Sequence, residues 1–310
     1  MAATVPLQQT PEPDAQLQAE FERERHATWK RFKRHKLAIA GSAVLICIVL
    51  VAIFAPFLSP WNPNFIDQAH WNGYPLAPGT YGHFLGSDEN GRDLFARLMF
   101  GARISLTVGI FAVLIEVVVG TFLGALAGYY GKWVDYVIMR ATDVFLSIPL
   151  LPLLLVLTAI VAASSNKAAL SFGVIVIIIG GLGWMPVTRL VRASYLSLRE
   201  KEFAEAARAI GGSDGRIMFR HLLPNAVAPI IVQATLDVAN VIILESALSF
   251  LGFGIQPPTA SWGNMLANAE YNMAIAPWAA IFPGLAILVT VLSINYMGDG
   301  LRDALDPNMR

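Results

Sequence analysis

Charge is what this sequence has least of. Only 14% of its 310 residues are charged and 55% are hydrophobic, whereas an ordinary soluble domain carries roughly a quarter charged residues. The mean hydropathy is +0.56. That deficit, combined with long uncharged runs, places the chain in the membrane class. Positive and negative charges balance to a formal net of zero, so no global field argues for a nucleic-acid partner. Cysteine occurs once, as Cys47 within an apolar run, which excludes an internal disulfide or a thiolate metal site. No Gly-x4-Gly-Lys-Ser/Thr P-loop and no His-Glu-x-x-His occurs. The chain therefore cannot cradle ATP phosphates by that device and carries no His-Glu-x-x-His metalloprotease signature. Its five histidines, His26, His35, His70, His83 and His221, all stand outside the apolar runs. No metal or catalytic residue is expected.

What is present in abundance is apolar sequence in span-length pieces. A membrane-crossing helix needs about 20 mainly apolar residues. Six stretches qualify: Leu37–Leu58, Ile104–Tyr129, Val144–Ala163, Ala168–Thr188, Ala226–Phe250 and a sixth within Tyr271–Met297. The expected fold class is an all-α membrane protein of six transmembrane helices. Residues 1–36 read as a polar tail, disordered over 1–20 where Pro6, Pro11 and Pro13 fall. Residues 37–58 form the first span and 59–103 a loop. Residues 104–300 hold the other five spans, and 301–310 a short tail. Within the loop, the stretch around Arg92–Arg103 reads as an amphipathic helix on the outer membrane interface that leads into the second span. Trp61, Trp71 and Tyr74 read as interface anchors.

Lysine and arginine counts set the orientation. With the N-terminus inside, the inner segments hold 18 of the 22 basic residues, and only Arg92, Arg97, Arg103 and Lys167 lie outside. The reading is N-in and C-in, with residues 189–225 on the cytoplasmic side.

That cytoplasmic segment contains "KEFAEAARAIGGSDGRIMFRHLLPN", a polar insert between two apolar stretches. Glu202–Ile210 consists almost wholly of good helix formers, and Gly211-Gly212 stops it. Asp214 is placed to cap a second short helix reaching Leu222, with Pro224 opening the next span. Ala206 and Ala207 leave room for another surface to approach closely; the bland alternative is a solvated connector.

The stretch "EAARAIGGSDGRIMFRHLLP" resembles the EAA loop of ABC-importer permeases, through Glu205, Ala206, Ala207, Gly211, Leu223 and Pro224. His221 departs from the apolar residue usual two positions before the Leu-Pro. Three further segments, 83–106, 245–266 and 282–307, are similar to C-type subunits of dipeptide, oligopeptide and nickel permeases. The resemblance covers about residues 30–310. It implies a type I importer permease whose coupling helix, about 202–222 between spans four and five, docks on an ATPase. It also implies a second homologous permease subunit, two cytoplasmic ATPase subunits that use ATP and Mg, and an extracytoplasmic solute-binding protein. No cofactor would be bound by this chain itself. The substrate implied is a dipeptide or oligopeptide, with nickel or another small solute as the alternative. Ala207→Glu is expected to spare insertion but uncouple ATP hydrolysis from transport.

Other residues invite assignment. Gly120, Gly124 and Gly128 recur every four residues and make a smooth stripe, either for a subunit interface or for packing within this chain. Charged groups in a bilayer seek partners or a cavity. Asp237 and Glu245 lie eight residues apart, about 80° round a helix, and with Asn240 they line a candidate translocation path or gate, or else pair at an interface. Glu116 reads as interfacial or protonated. Gly252–Asn272 reads as a surface or re-entrant segment which, with residues 60–100, offers a docking face for the binding protein. An ion-driven secondary transporter would also use intramembrane acids, but it would have no use for the insert.

Overall fold

The computed structural model describes residues 29–164, 171–268 and 273–305. The tail over 1–28, Lys167, and the expected starts of the fourth and sixth spans at Ala168 and Tyr271 lie outside the described residues, as do Asn272 and 306–310. Nine helices are labelled here: α1 (Lys36–Leu58), α2 (Leu94–Tyr130), α3 (Lys132–Ser147), α4 (Leu150–Ser164), α5 (Phe172–Leu182), α6 (Trp184–Leu198), α7 (Glu202–Ala209), α8 (Asp214–Phe250) and α9 (Trp278–Leu305). Among the described residues, β pairing is limited to isolated bridges in the 59–93 loop. Four helices, α1, α2, α8 and α9, are long and apolar enough to cross a membrane, and up to six spans result if each of two bent pairs counts as one.

Those bent pairs correct the bounds expected for the third and fourth spans. The Val144–Ala163 window turns by 86° between α3 and α4. Pro149 disfavours helical geometry at the residue before it, and Ile148 is extended, with φ −91° and ψ 126°. Pro152 falls in the first turn of α4, where a missing N–H costs little. The fourth window bends by 41° at Gly183 and its helix continues to Leu198, well past Thr188.

A second correction concerns α2, which begins at Leu94 and runs for 37 residues without a break. Asp93 caps it by accepting from Ala96 N at 2.6 Å. From Leu94 the Arg92–Arg103 stretch is helical and leads into the second span, but as the first turns of the same helix, which begins ten residues before the expected Ile104. Arg97, which looked exposed by its charge, is buried beside Asp88, with Nε 3.3 Å from Oδ2. Trp61 stacks on His83 and donates to Gly82 O, so it packs the loop. Tyr74 is exposed.

Three apolar clusters organise the bundle. One joins α2, α4, α5 and α8 through Val108, Ile175, Ile179 and Leu248. Another joins α2, α6, α7 and the start of α8 through Ala125, Val191, Tyr195, Ala207, Ile217 and Leu222. A third cluster ties α1, α2, α8 and α9 around Trp262.

Candidate functional site

Helix α7 forms as its composition dictates, and it ends in a Schellman turn. Gly212 N–H donates to Ala207 O at 3.0 Å and Gly211 N–H to Arg208 O at 2.9 Å, satisfying carbonyls the helix end would leave open. Gly211 sits at φ +79°, a conformation that favours glycine. The expected second short helix is instead the first part of α8. Its cap position is Ser213, and Asp214 is the first helical residue. The Asp214 carboxylate accepts from Tyr129 Oη at 2.7 Å. Residues Ile217–Leu222 form a wide π turn, closed by Leu223 N–H on Met218 O. Pro224 has no N–H to continue a regular turn, so widening accommodates it.

This unit is braced from behind. Tyr195 is fully buried and donates its hydroxyl to Met218 O at 2.9 Å. Arg199 Nη1 donates to Gly128 O at 3.1 Å, at the C-terminal end of α2, where a cation also meets the helix dipole favourably. Arg208 Nη2 donates to Arg199 O at 3.0 Å. Arg192 holds Asp135 of α3 through both of its oxygens.

The bracing decides which motif residues face outward. Glu205, Ala206, Gly211 and Pro224 are exposed and Leu223 is half-buried, but Ala207 is packed within the chain beside Ile217 and Tyr195. Ala207 therefore anchors α7 rather than presenting a docking surface, and a glutamate there would disrupt the core before it reached any partner. Sequence reasoning also missed the outward apolar groups. Ile210 is 87% exposed, with Phe203 and Phe219 also open. Their signal was available as apolar residues off the buried stripe of an otherwise polar helix.

The glycine stripe is an internal contact. A Cβ on Gly120 would lie 2.6 Å from Val187 Cβ, on Gly124 2.6 Å from Thr188 O, and on Gly128 2.5 Å from Tyr195 Cβ. All three receive α6 of the same chain, so they do not form a subunit interface. Glu116 is buried rather than interfacial, and its side chain fills the notch left by Gly183 at the α5–α6 bend.

The α8 acids separate as well. Glu245 is 0% exposed. It accepts from Ser249 Oγ at 2.7 Å and Ser105 Oγ at 3.3 Å, and Ser105 in turn accepts from Trp262 N. This carboxyl ties α2, α8 and the following loop together, and lines no open path in this structure. Asp237 is 8% exposed, accepts from Gln233 Nε2 at 2.9 Å through Oδ1, and has no hydrogen-bond partner for Oδ2 among the described residues. Asn240, one helical turn on, is exposed. Over the described part of Gly252–Asn272 the chain makes one 3-10 turn at Asn264–Leu266, and Trp262 is buried, donating Nε1 to Leu98 O at 3.0 Å.

In the 59–93 loop, His83 lies between Asp93, at 2.8 Å, and Asp67, at 3.3 Å, and His70 meets Asp67 at 2.8 Å. Burial pushes Asp67 up, but hydrogen bonds from His70 and His83 outweigh it and hold the carboxyl below the usual aspartate range.

Comparison with known proteins fits this arrangement. Residues 120–310 match the model of the binding-protein-dependent transport system inner membrane component family. The chain belongs to that family. Residues 25–78 of this permease match the N-terminal transmembrane domain of oligopeptide transport permease C. It is 43% identical to the dipeptide transport system permease protein DppC of Alkalihalophilus pseudofirmus, over 91% of this chain and 89% of that protein. It is 41% identical to the glutathione transport system permease protein GsiD of Pectobacterium atrosepticum, over 91% and 90% of the two chains. The fold resembles a chain of the inward-facing MetNI methionine ABC transporter, with a TM-score of 0.54 at 17% identity, covering 69% of this permease and 97% of that chain. The family and the apolar helices together make this a multi-pass membrane permease.

Proposed function

We propose that this chain is one permease subunit of an ATP-driven importer and forms half of a pathway for dipeptides or oligopeptides across the cytoplasmic membrane. The observation that carries the reading is the braced insert. A helix stopped by a Schellman turn presents Phe203, Ala206 and Ile210 outward, while Arg208 ties it to Arg199, Arg199 ties the end of α6 to α2, and Tyr195 holds the following turn through Met218 O. Relatives named for dipeptide and glutathione transport support the substrate class.

In this reading each bent pair crosses once, giving six spans with both termini inside, as the distribution of basic residues supports. The insert docks on one of two ATPase subunits that bind ATP and Mg, and a second homologous permease completes the pathway. An extracytoplasmic binding protein delivers peptide to the 59–93 and 252–268 loops. Because α8 carries the insert's second half and then crosses the membrane, an ATPase movement at Ile210 reaches the far side through one helix. That helix has 37 residues, or about 55 Å at 1.5 Å per residue. Asp237, with an oxygen left unpaired, is the path or gate residue of this proposal.

The test is purification of the tagged chain from its native membrane in mild detergent. Co-purification of P-loop ATPases and a second permease, with peptide-stimulated ATP hydrolysis, supports the reading. A chain that purifies alone and still moves solute after reconstitution would overturn it.

A further inference from the structure

The far end of α8 borders a cavity of about 400 Å³ between the 59–93 loop and the 252–268 loop. That volume lies within the roughly 300–1,000 Å³ of small-molecule sites. Its walls carry both signs of charge. Arg92 and Arg97 supply guanidinium groups, Glu89 supplies a carboxylate, and Asn90, Gln256 and Asn268 supply amides.

These groups are held by the fold rather than loosely displayed. Arg97 is 2% exposed. Its Nη1 donates to Pro63 O at 3.3 Å, and its Nε lies 3.3 Å from Asp88 Oδ2 but makes no hydrogen bond among the described residues. Arg97 is thus held by Asp88 and Pro63 at the wall of a polar cavity, where its planar guanidinium is a fixed positive group for a carboxylate. Arg92 spends its Nε on Asp88 at 2.7 Å. Opposite in sign, Glu89 is positioned by the amides of Asn268, at 3.2 Å, and Asn90, at 3.3 Å. A positive pole, a negative pole and amides around one small volume match a molecule with a carboxylate at one end, an ammonium at the other and peptide groups between.

We infer that this cavity is a receiving site for a short zwitterionic peptide, with the α-carboxylate on the Arg97 side and the α-ammonium on Glu89. The inference rests on the peptide-importer reading and adds to it a substrate contact on the permease itself. The same carboxylate chemistry is available from an acidic side chain of the binding protein, and peptide binding in the absence of that protein distinguishes the two.

The experiment uses the assembled importer in nanodiscs without binding protein, and measures binding of a labelled dipeptide, its N-acetyl form and its C-terminal amide. Saturable binding of the free dipeptide is expected, with each blocked form at least tenfold weaker. Glu89→Gln should weaken the free dipeptide about tenfold and leave the N-acetyl form unchanged, and Arg97→Lys should act mainly on the carboxylate end. Equal binding of free and blocked peptides, or no effect of Glu89→Gln, overturns the site. So does peptide binding that needs the binding protein, with the variants weakening only capture of that protein. ATP-driven peptide uptake by the same preparation with binding protein added separates the two levels. Intact uptake without cavity binding removes this inference alone, whereas absent uptake removes the peptide-importer reading and the inference with it.

Discussion

Gly124→Ala tests the internal packing role of the glycine stripe. A methyl group there would lie 2.6 Å from Thr188 O, 2.7 Å from Val191 Cβ and 3.1 Å from Arg192 N. Two of these atoms are backbone and cannot rotate away, so α2 and α6 must part by several tenths of an ångström. Overpacking of this kind costs about 1–3 kcal/mol, and relief from glycine's poor helix propensity returns about 1 kcal/mol. The net expectation is a loss of up to about 2 kcal/mol. Thermal unfolding of the lone chain in nanodiscs, followed by circular dichroism, should then shift down by roughly 2–4 °C for each kcal/mol. Gly181→Ala is the control, because a Cβ there meets nothing within 4 Å, and it should leave the midpoint unchanged or raise it. The reasoning fails if Gly124→Ala leaves the lone chain's midpoint untouched while association with a second permease subunit is lost.

Three further outcomes follow from the geometry. Tyr195→Phe removes the hydroxyl donated to Met218 O and should cost about 1 kcal/mol, with ATP hydrolysis less tightly tied to transport; a variant of wild-type stability and coupling would deny the brace its role. Ile210→Asp alters a side chain that is 87% exposed, so stability should stay within about 0.5 kcal/mol, while ATPase association weakens by roughly 2 kcal/mol, about thirtyfold, if Ile210 is a hot spot. Asp67→Asn tests the loop: because the folded pKa of Asp67 is depressed, its contribution is complete above the ordinary aspartate value and is lost as pH falls through the folded value. The wild-type advantage over Asp67→Asn should therefore be present at neutral pH and absent in strong acid, and unfolding curves at both pH values check it.

The sequence carried the local features and lost the long-range ones. Helix α1 was legible to one residue because its boundary is set by a charge step at Lys36. The stop at Gly211 was legible because positive φ and two adjacent glycines are a local signal. The start of α2 was not: Arg97 and Arg103 argued for an interface, whereas Arg97 pairs with Asp88 inside the fold. The direction of the glycine stripe was undetermined because its partner α6 begins 64 residues after Gly120, at Trp184. Glu245 looked like Asp237 in sequence, yet one is satisfied by Ser105, 140 residues away, while the other keeps an oxygen unpaired. Ala207 shows the same limit: the motif was recognisable, but which of its residues faces inward depended on packing against Tyr195 and Ile217.

The most direct measurement is labelled-dipeptide uptake by proteoliposomes containing the assembled importer, with binding protein outside and ATP and Mg inside. Uptake should require hydrolysable ATP and fall sharply with Ile210→Asp while the assembly still inserts. Uptake that persists without ATP, or that Ile210→Asp leaves unchanged, would contradict a coupling role for the insert.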